Sequence, residues 1–150
     1  MKVYFIFDIK EEFIKLYQGN EKILYNILKQ IYFLDKEELT YAYTLLNQII
    51  NKIDKQTLDR KIFLQFHQDI PYSKRGQIHY INNLYKDEIS RLEIKKSHIK
   101  LECEQKNSTF MPILKSLSNN FFVCDFFNQE YFFMESEEKI PKINIQTYTI

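Results

Sequence analysis

The side chains able to do chemistry are few and scattered. The three histidines, His67, His79 and His98, are separated by 12 and 19 residues, which matches no metal-ligand spacing and sets no pair at i, i+4 on a helix. They read as polar surface or loop histidines. Cys103 and Cys124 stand 21 apart with no CxxC or Cys/His cluster, and read as buried thiols of a reducing compartment rather than a disulfide or half a zinc site. Cys124 lies in the run Phe121-Phe-Val-Cys-Asp-Phe126. A catalytic thiolate needs an electropositive, partly open setting, so a packed small apolar residue is expected there. Asp125 has the chemistry to form an acid–base couple with His98 or His67, and spacing alone leaves that open. No nucleophile elbow or phosphate loop occurs, and two glycines in the chain cannot build a backbone cradle for phosphate. Lys74-Arg75 and Lys95-Lys96 are short basic pairs expected on solvated surface. The reading is a non-enzyme that binds no metal or cofactor.

What remains is aromatic surface. Thirteen Phe and eleven Tyr stand beside no Trp, although abundant Ile, Lys and Asn with a single Ala resemble AT-rich codon bias. In a helix over residues 9–18, Ile9, Phe13, Leu16 and Tyr17 share one side, while Ile14 points about 100° away from Phe13. So short a helix rarely buries all of these in one contact. Phe13 and Tyr17 either pack as an i, i+4 pair or stay outside as anchors for a partner, since aromatics are enriched at binding hot spots.

The frame that holds these residues follows from composition and periodicity. With 150 residues, 45% of them hydrophobic and 27% charged, the chain is expected to be one domain able to bury a core without staples. A net charge of +1 gives no electrostatic case for a nucleic-acid surface. No apolar run approaches the ~20 residues of a membrane span, and the amino terminus lacks a signal-like segment. A cytoplasmic protein is expected, with the monomer favoured. Residues 3–7 read as a buried strand. Asp8 is placed to cap the next helix, which stops at Gly19. Residues 20–33 form a second helix, with Ile23, Leu24, Ile27, Leu28 and Ile31 over about 140° of arc. Asp35 to Glu38 resemble a capping box opening a third helix, where Leu39, Ala42, Tyr43, Leu46, Ile49, Ile50 and Ile53 fall within about 120°. Asp54 caps a helix over 56–67; 69–76 is the main loop, and 77–88 is read as a weak helix. Residues 91–95 and 99–103 alternate apolar with charged and predict a hairpin that covers Leu92, Ile94, Ile99, Leu101 and Cys103. A helix capped by Ser108 or Thr109 runs to Leu117, followed by strands over 121–126 and 130–134 and a charged tail from Glu135. The order β-α-α-α-α-α-β-β-α-β-β is an α+β domain with a mixed or antiparallel sheet of about five strands. The first strand must join the last ones, because a lone strand leaves its backbone groups unpaired.

The opening from Tyr4 through Lys10-Glu11-Glu12-Phe13, Tyr17 and Gly19 to Glu21 resembles the start of the sporulation inhibitor of replication family, SirA. That family opens with a short strand, a Lys-Glu-Glu-Phe helix start, a Tyr four residues after the Phe and a Gly ending the helix. The likeness extends to about Ile53. It returns at Cys124-Asp-Phe-Phe-Asn-Gln-Glu-Tyr131, similar to the family's Asp-Phe-Asn turn into a last aromatic strand. Residues 54–88 do not match. The resemblance implies a small cytoplasmic protein of an endospore-forming Firmicute that binds the N-terminal domain, domain I, of the replication initiator DnaA and restrains initiation. It carries Phe13 and Tyr17 onto the family's interface pair. Asn47 stands where an interface Gln is expected, with shorter reach, and Ile50 stands where the family has an aromatic nearby. A small-ligand or catalytic pocket of Phe121, Phe122, Asp125 and a histidine is the rival reading, and a structural subunit a third.

Overall fold

The computed structural model describes residues 1–34, 39–104 and 107–134. The elements in chain order are β1 (Lys2–Asp8), α1 (Glu11–Tyr17), α2 (Glu21–Tyr32), α3 (Leu39–Ile49), α4 (Lys55–Phe66), β2 (Tyr72–Arg75), β3 (Ile78–Asn83), β4 (Glu88–Ile94), β5 (Ile99–Cys103), α5 (Phe110–Leu117), β6 (Phe121–Asp125) and β7 (Glu130–Phe133). The strands form one seven-stranded sheet in the order β2-β3-β4-β5-β1-β6-β7, antiparallel at every pairing. The α+β class stands, with seven strands instead of about five. As expected, β1 joins the carboxy-terminal strands, with Phe5 opposite Cys124 and Ile6 opposite both Ile99 and Val123.

The continuous apolar runs of β1 and β6 have a direct cause. Alternate side chains of each enter two cores, one per face of the sheet. Tyr4, Ile6, Phe121 and Val123 pack with Ile62 and Phe66 of α4 and Phe110 and Leu114 of α5. Phe5, Phe7, Phe122 and Cys124 pack with Leu24, Tyr25 and Leu28 of α2 and Leu46 and Ile49 of α3. The hairpin of β4 and β5 faces only the first core, with Leu92, Ile94, Ile99, Leu101 and Cys103 buried as predicted. Its other face carries Arg91, Glu93, Lys100 and Glu102, joined across it by Lys100–Glu102 at 3.2 Å and Arg91–Glu102 at 3.9 Å. Both cysteines are free and buried, as their apolar setting implied.

Segment 77–88 is not a helix. It supplies β3, whose partner β2 lies inside the stretch read as a loop, and the two-residue link between them places Gly76 at φ +59. That is the left-handed position a type II′ hairpin reserves for glycine. Asp8 does not cap α1: the capping position is Lys10, with no side-chain bond, because the Asp8 carboxylate accepts from Asn51 Nδ2 at 3.2 Å instead. Asp54 does cap α4, accepting from the Thr57 amide at 3.2 Å and its hydroxyl at 2.7 Å. At α5 the capping position is Thr109, again without a side-chain cap, while Ser108 Oγ accepts from the Phe110 amide at 3.2 Å. Buried Glu88 of β4 holds this helix start, accepting from the Thr109 amide at 2.9 Å, the Thr109 hydroxyl and Ser90 Oγ at 2.6 Å. Burial alone would raise the Glu88 carboxyl, but these bonds outweigh it and hold the group below its usual range. The proposed capping box of 35–38 and the tail from 135 lie outside the described residues.

Two helical faces are rotated from the predicted ones. On α2 the buried residues are Leu24, Tyr25 and Leu28, with Ile23 exposed. Tyr25 is drawn inward by stacking on Tyr131 of β7, with ring centroids 4.7 Å apart. On α3 Tyr43 is 56% exposed, because the helix rests on the sheet through Ala42, Leu46 and Ile49 and leaves the edge of its apolar arc outside.

Candidate functional site

The first and third helices meet at a built seam. The chain leaving β1 forms an antiparallel bridge, Ile9 with Ile50. Beside it the Lys10 amide donates to the Ile49 carbonyl at 2.9 Å, and the Asn51 amide donates to the Asp8 carbonyl at 2.7 Å. The Asn51 side chain closes the corner through Asp8 Oδ1 at 3.2 Å and the Ile9 carbonyl at 3.5 Å. Burial raises the Asp8 carboxyl above its usual range, partly offset by that amide. The start of α1 is thereby fixed against the end of α3, although α1 buries no side chain completely.

On this short helix Phe13 and Tyr17 form a stacked pair, 6.4 Å between centroids and 13° between planes. Both are half-buried and rest against the α2–α3 core. The two sequence readings are therefore not exclusive: the rings pack inward on one side and present the other to solvent. Asn47 is exposed on α3, close in sequence to the Ile49–Asn51 seam. Ile50 is only 2% exposed, since the bridge to Ile9 turns it into the core, and it has no outward surface to offer. Periodicity missed three exposed neighbours. Leu16 stands 62% exposed on α1, although it shares the side of Ile9, which is fully buried. Tyr43 was assigned to the core, and Gln48 beside Asn47 is exposed, offering the longer amide one residue along.

The rival pocket does not assemble. Phe121 and Phe122 enter opposite cores. Asp125 is buried, and its hydrogen bonds among the described residues lie in its own turn: it accepts from the Phe127 and Asn128 amides at 3.2 and 3.1 Å and from Asn128 Nδ2 at 2.7 Å. This carboxylate shapes the β6–β7 turn, where Gln129 takes φ +57, rather than pairing with a histidine.

Of the histidines only His67 lies on the surface. His79 is fully buried, a correction to its reading as a surface residue. Its Nε2–H donates to Asp59 Oδ1 at 2.7 Å, and its Nδ1 accepts from the Tyr72 hydroxyl at 2.7 Å. Lys55 holds the other Asp59 oxygen at 2.6 Å. This chain of donors resembles a catalytic relay in order, but burial and the Asp59 charge push the Tyr72 phenol up to about 12, so its proton stays put. Both imidazole nitrogens are occupied. The network fastens α4 to the β2–β3 hairpin. Among the described residues no group of three or more His, Cys, Asp and Glu side chains is placed to hold a metal ion, and no helix is long and apolar enough to cross a membrane.

His98 is half-buried against Phe5 and Phe7, with ring centroids at 5.6 and 5.7 Å. Burial, with Lys95 and Lys100 nearby, lowers its pKa from 6.5 to about 4. His79 is lowered too, because burial and the charges of Lys74 and Lys55 outweigh Asp59. Each ring thus binds a proton less readily in the folded chain than in the unfolded one. Below the unfolded value of 6.5 the unfolded chain takes up protons that the folded chain refuses, so stability falls with acidification. For His98 alone the loss between pH 7.5 and pH 5 is about 2 kcal/mol. Asp8, raised by burial, works in the opposite sense at lower pH. Urea unfolding at both pH values should show the drop, and His98→Phe should remove the His98 share of it, leaving that of His79.

A profile of the family described as sporulation inhibitor of replication protein SirA matches residues 2–137. That span includes every element of the sheet and both helical layers. No curated protein is matched by the chain.

Proposed function

The chain belongs to the family of the sporulation inhibitor of replication protein SirA, and from that premise we propose that it restrains replication initiation by occupying domain I of the initiator DnaA. The contact surface in this reading is the α1–α3 face. Phe13 and Tyr17 anchor it, and Asn47, with Gln48 beside it, supplies amide contacts at its edge. Ile50 contributes from beneath, by holding the Ile9 bridge that fixes α1 against α3. The mechanism is steric: a surface that DnaA needs for self-assembly or for loading partners is covered, with no cofactor and no chemical step. In this reading the protein acts as a cytoplasmic monomer of a Firmicute.

One observation carries this reading. A seven-residue helix with no fully buried side chain nevertheless keeps an ordered aromatic stack half out of the core. Its attachment comes from the backbone seam with α3, which frees the outer ring faces for a partner. Pre-ordered aromatic area of this kind lowers the entropy cost of binding.

The test is direct binding of purified chain to isolated DnaA domain I by calorimetry and co-elution. A one-to-one complex with micromolar or tighter affinity is the expected result. Full-length DnaA that binds the chain only through its other domains would sink the proposal. Within that complex Asn47→Ala should weaken binding modestly, by about 0.5–1 kcal/mol or roughly two- to fivefold, because one polar contact at a rim is removed.

A further inference from the structure

Between α2, α3 and the β4–β5 turn, the sheet opens as a cleft of about 170 Å³. Its walls include Phe5 and Phe7 from β1, Leu28 from α2, Tyr43 and Leu46 from α3, and the His98 ring. The space is close to that of a ~150 Å³ apolar cavity that accepts benzene. Ser97 and His98 from the β4–β5 turn and the hydroxyl-bearing Tyr32 and Tyr43 from the helices interrupt the apolar lining. His98 Nδ1 is bonded to Ser97 Oγ at 2.8 Å, which leaves Nε2 without a hydrogen-bond partner among the described residues.

That nitrogen narrows the ligand chemistry. His98 is neutral near pH 7, so of its two nitrogens one donates and the other accepts. The Ser97 hydroxyl rotates to suit either tautomer, so Nε2 is free to play either part. A ligand hydroxyl, both donor and acceptor, complements both cases. A cation would meet Lys95 and Lys100, the charged groups that already disfavour a proton on His98. A carboxylate would lose its hydration against Phe5, Phe7 and Leu46. We propose that this cleft binds a phenol ring, seated between Phe5, Phe7 and Leu46 with its hydroxyl on His98 Nε2. The ring belongs either to a free small phenol or to a tyrosine side chain. This inference does not rest on the DnaA reading, since no protein partner enters its test.

The experiment is an NMR titration of the full chain at pH 7.5 with p-cresol, toluene and N-acetyltyrosinamide. For an eight-atom ligand the expected p-cresol dissociation constant is on the order of 1 mM. The shifts should centre on His98, Leu46 and Phe7. Toluene, which lacks the hydroxyl, should bind at least about fivefold more weakly to the wild-type chain. His98→Phe should erase that preference while leaving toluene binding within about twofold. N-acetyltyrosinamide binding as well as p-cresol assigns the site to a tyrosine side chain; exclusion while p-cresol binds assigns it to a free phenol. Both outcomes uphold a phenol site. Equal affinity for toluene and p-cresol, shifts centred elsewhere, or no saturation by ~10 mM would overturn it. The ligand comparison on unmutated protein decides the matter even if His98→Phe fails to fold.

Discussion

His79→Ala is expected to destabilise the folded chain by about 3–5 kcal/mol, a large share of a domain's whole margin. The substitution deprives two partly buried groups at once. Asp59 loses the Nε2–H donor at 2.7 Å and keeps only Lys55, and the Tyr72 hydroxyl loses the nitrogen it donates to. It also empties the volume of an imidazole that no solvent reaches. The damage should be local in its first effects. β2 is an edge strand of four residues paired only to β3, so hydrogen exchange in β2, β3 and α4 should accelerate before the rest of the sheet. His79→Phe, which restores volume but neither bond, should recover part of the loss. Asp59→Asn keeps an acceptor for the ring and should cost less, about 1–2 kcal/mol. Urea unfolding of the three variants at pH 7.5 checks the order. A loss under 1 kcal/mol for His79→Ala would mean that the network contributes no net stability.

The same residue explains where the sequence misleads. Strand alternation is read from apolar side chains facing in, and β4 and β5 obey it, with Leu92, Ile94, Ile99 and Leu101 all covered. In β3 the inward positions are His79 and Ile81. Taking His79 as a surface residue erases the alternation, and the segment then resembles a weak helix. The missing fact is the partner Asp59, 20 residues earlier on another element, which makes an inward imidazole affordable. Helix rotation failed for a related reason. Tyr25 is buried by stacking on Tyr131, and Tyr43 is left out by the way α3 rests on β1, and both depend on contacts distant in sequence. What was legible is what short-range chemistry decides: the apolar runs of β1 and β6, Gly19 at φ +83 ending the first helix unit, and the Asp54 cap. At the candidate site the stacked pair was legible from i, i+4 spacing, whereas the bridge that buries Ile50 pairs residues 41 apart and left no local trace.

Cutting Phe13 or Tyr17 to alanine is expected to weaken DnaA domain I binding by about 2 kcal/mol each, roughly thirtyfold. The double variant should lose more than either single one, with strict additivity setting a reference of about a thousandfold. The two losses need not add, because the rings stack at 6.4 Å and removing one alters how the other is held. Stability supplies the control. Both rings are half-buried, so each truncation should cost about 1–2 kcal/mol of folding free energy. A fully buried ring such as Phe122 should cost about 3–5 kcal/mol. The variants are therefore expected to remain folded at room temperature, where their binding can be read cleanly. Leu16→Ala sharpens the comparison: at 62% exposure it should leave stability within about 0.5 kcal/mol. Any loss of affinity it shows then extends the contact along the outer side of α1. Tyr17→Phe keeps the stack and removes only the hydroxyl, which separates ring contact from a hydrogen bond to the partner. Folded Phe13→Ala and Tyr17→Ala proteins that bind DnaA domain I as tightly as wild type would refute the assignment of this face. A thousandfold loss in the double variant with a cooperative melt retained would tie the aromatic stack to the partner, because an effect of that size cannot come from the modest loss of packing.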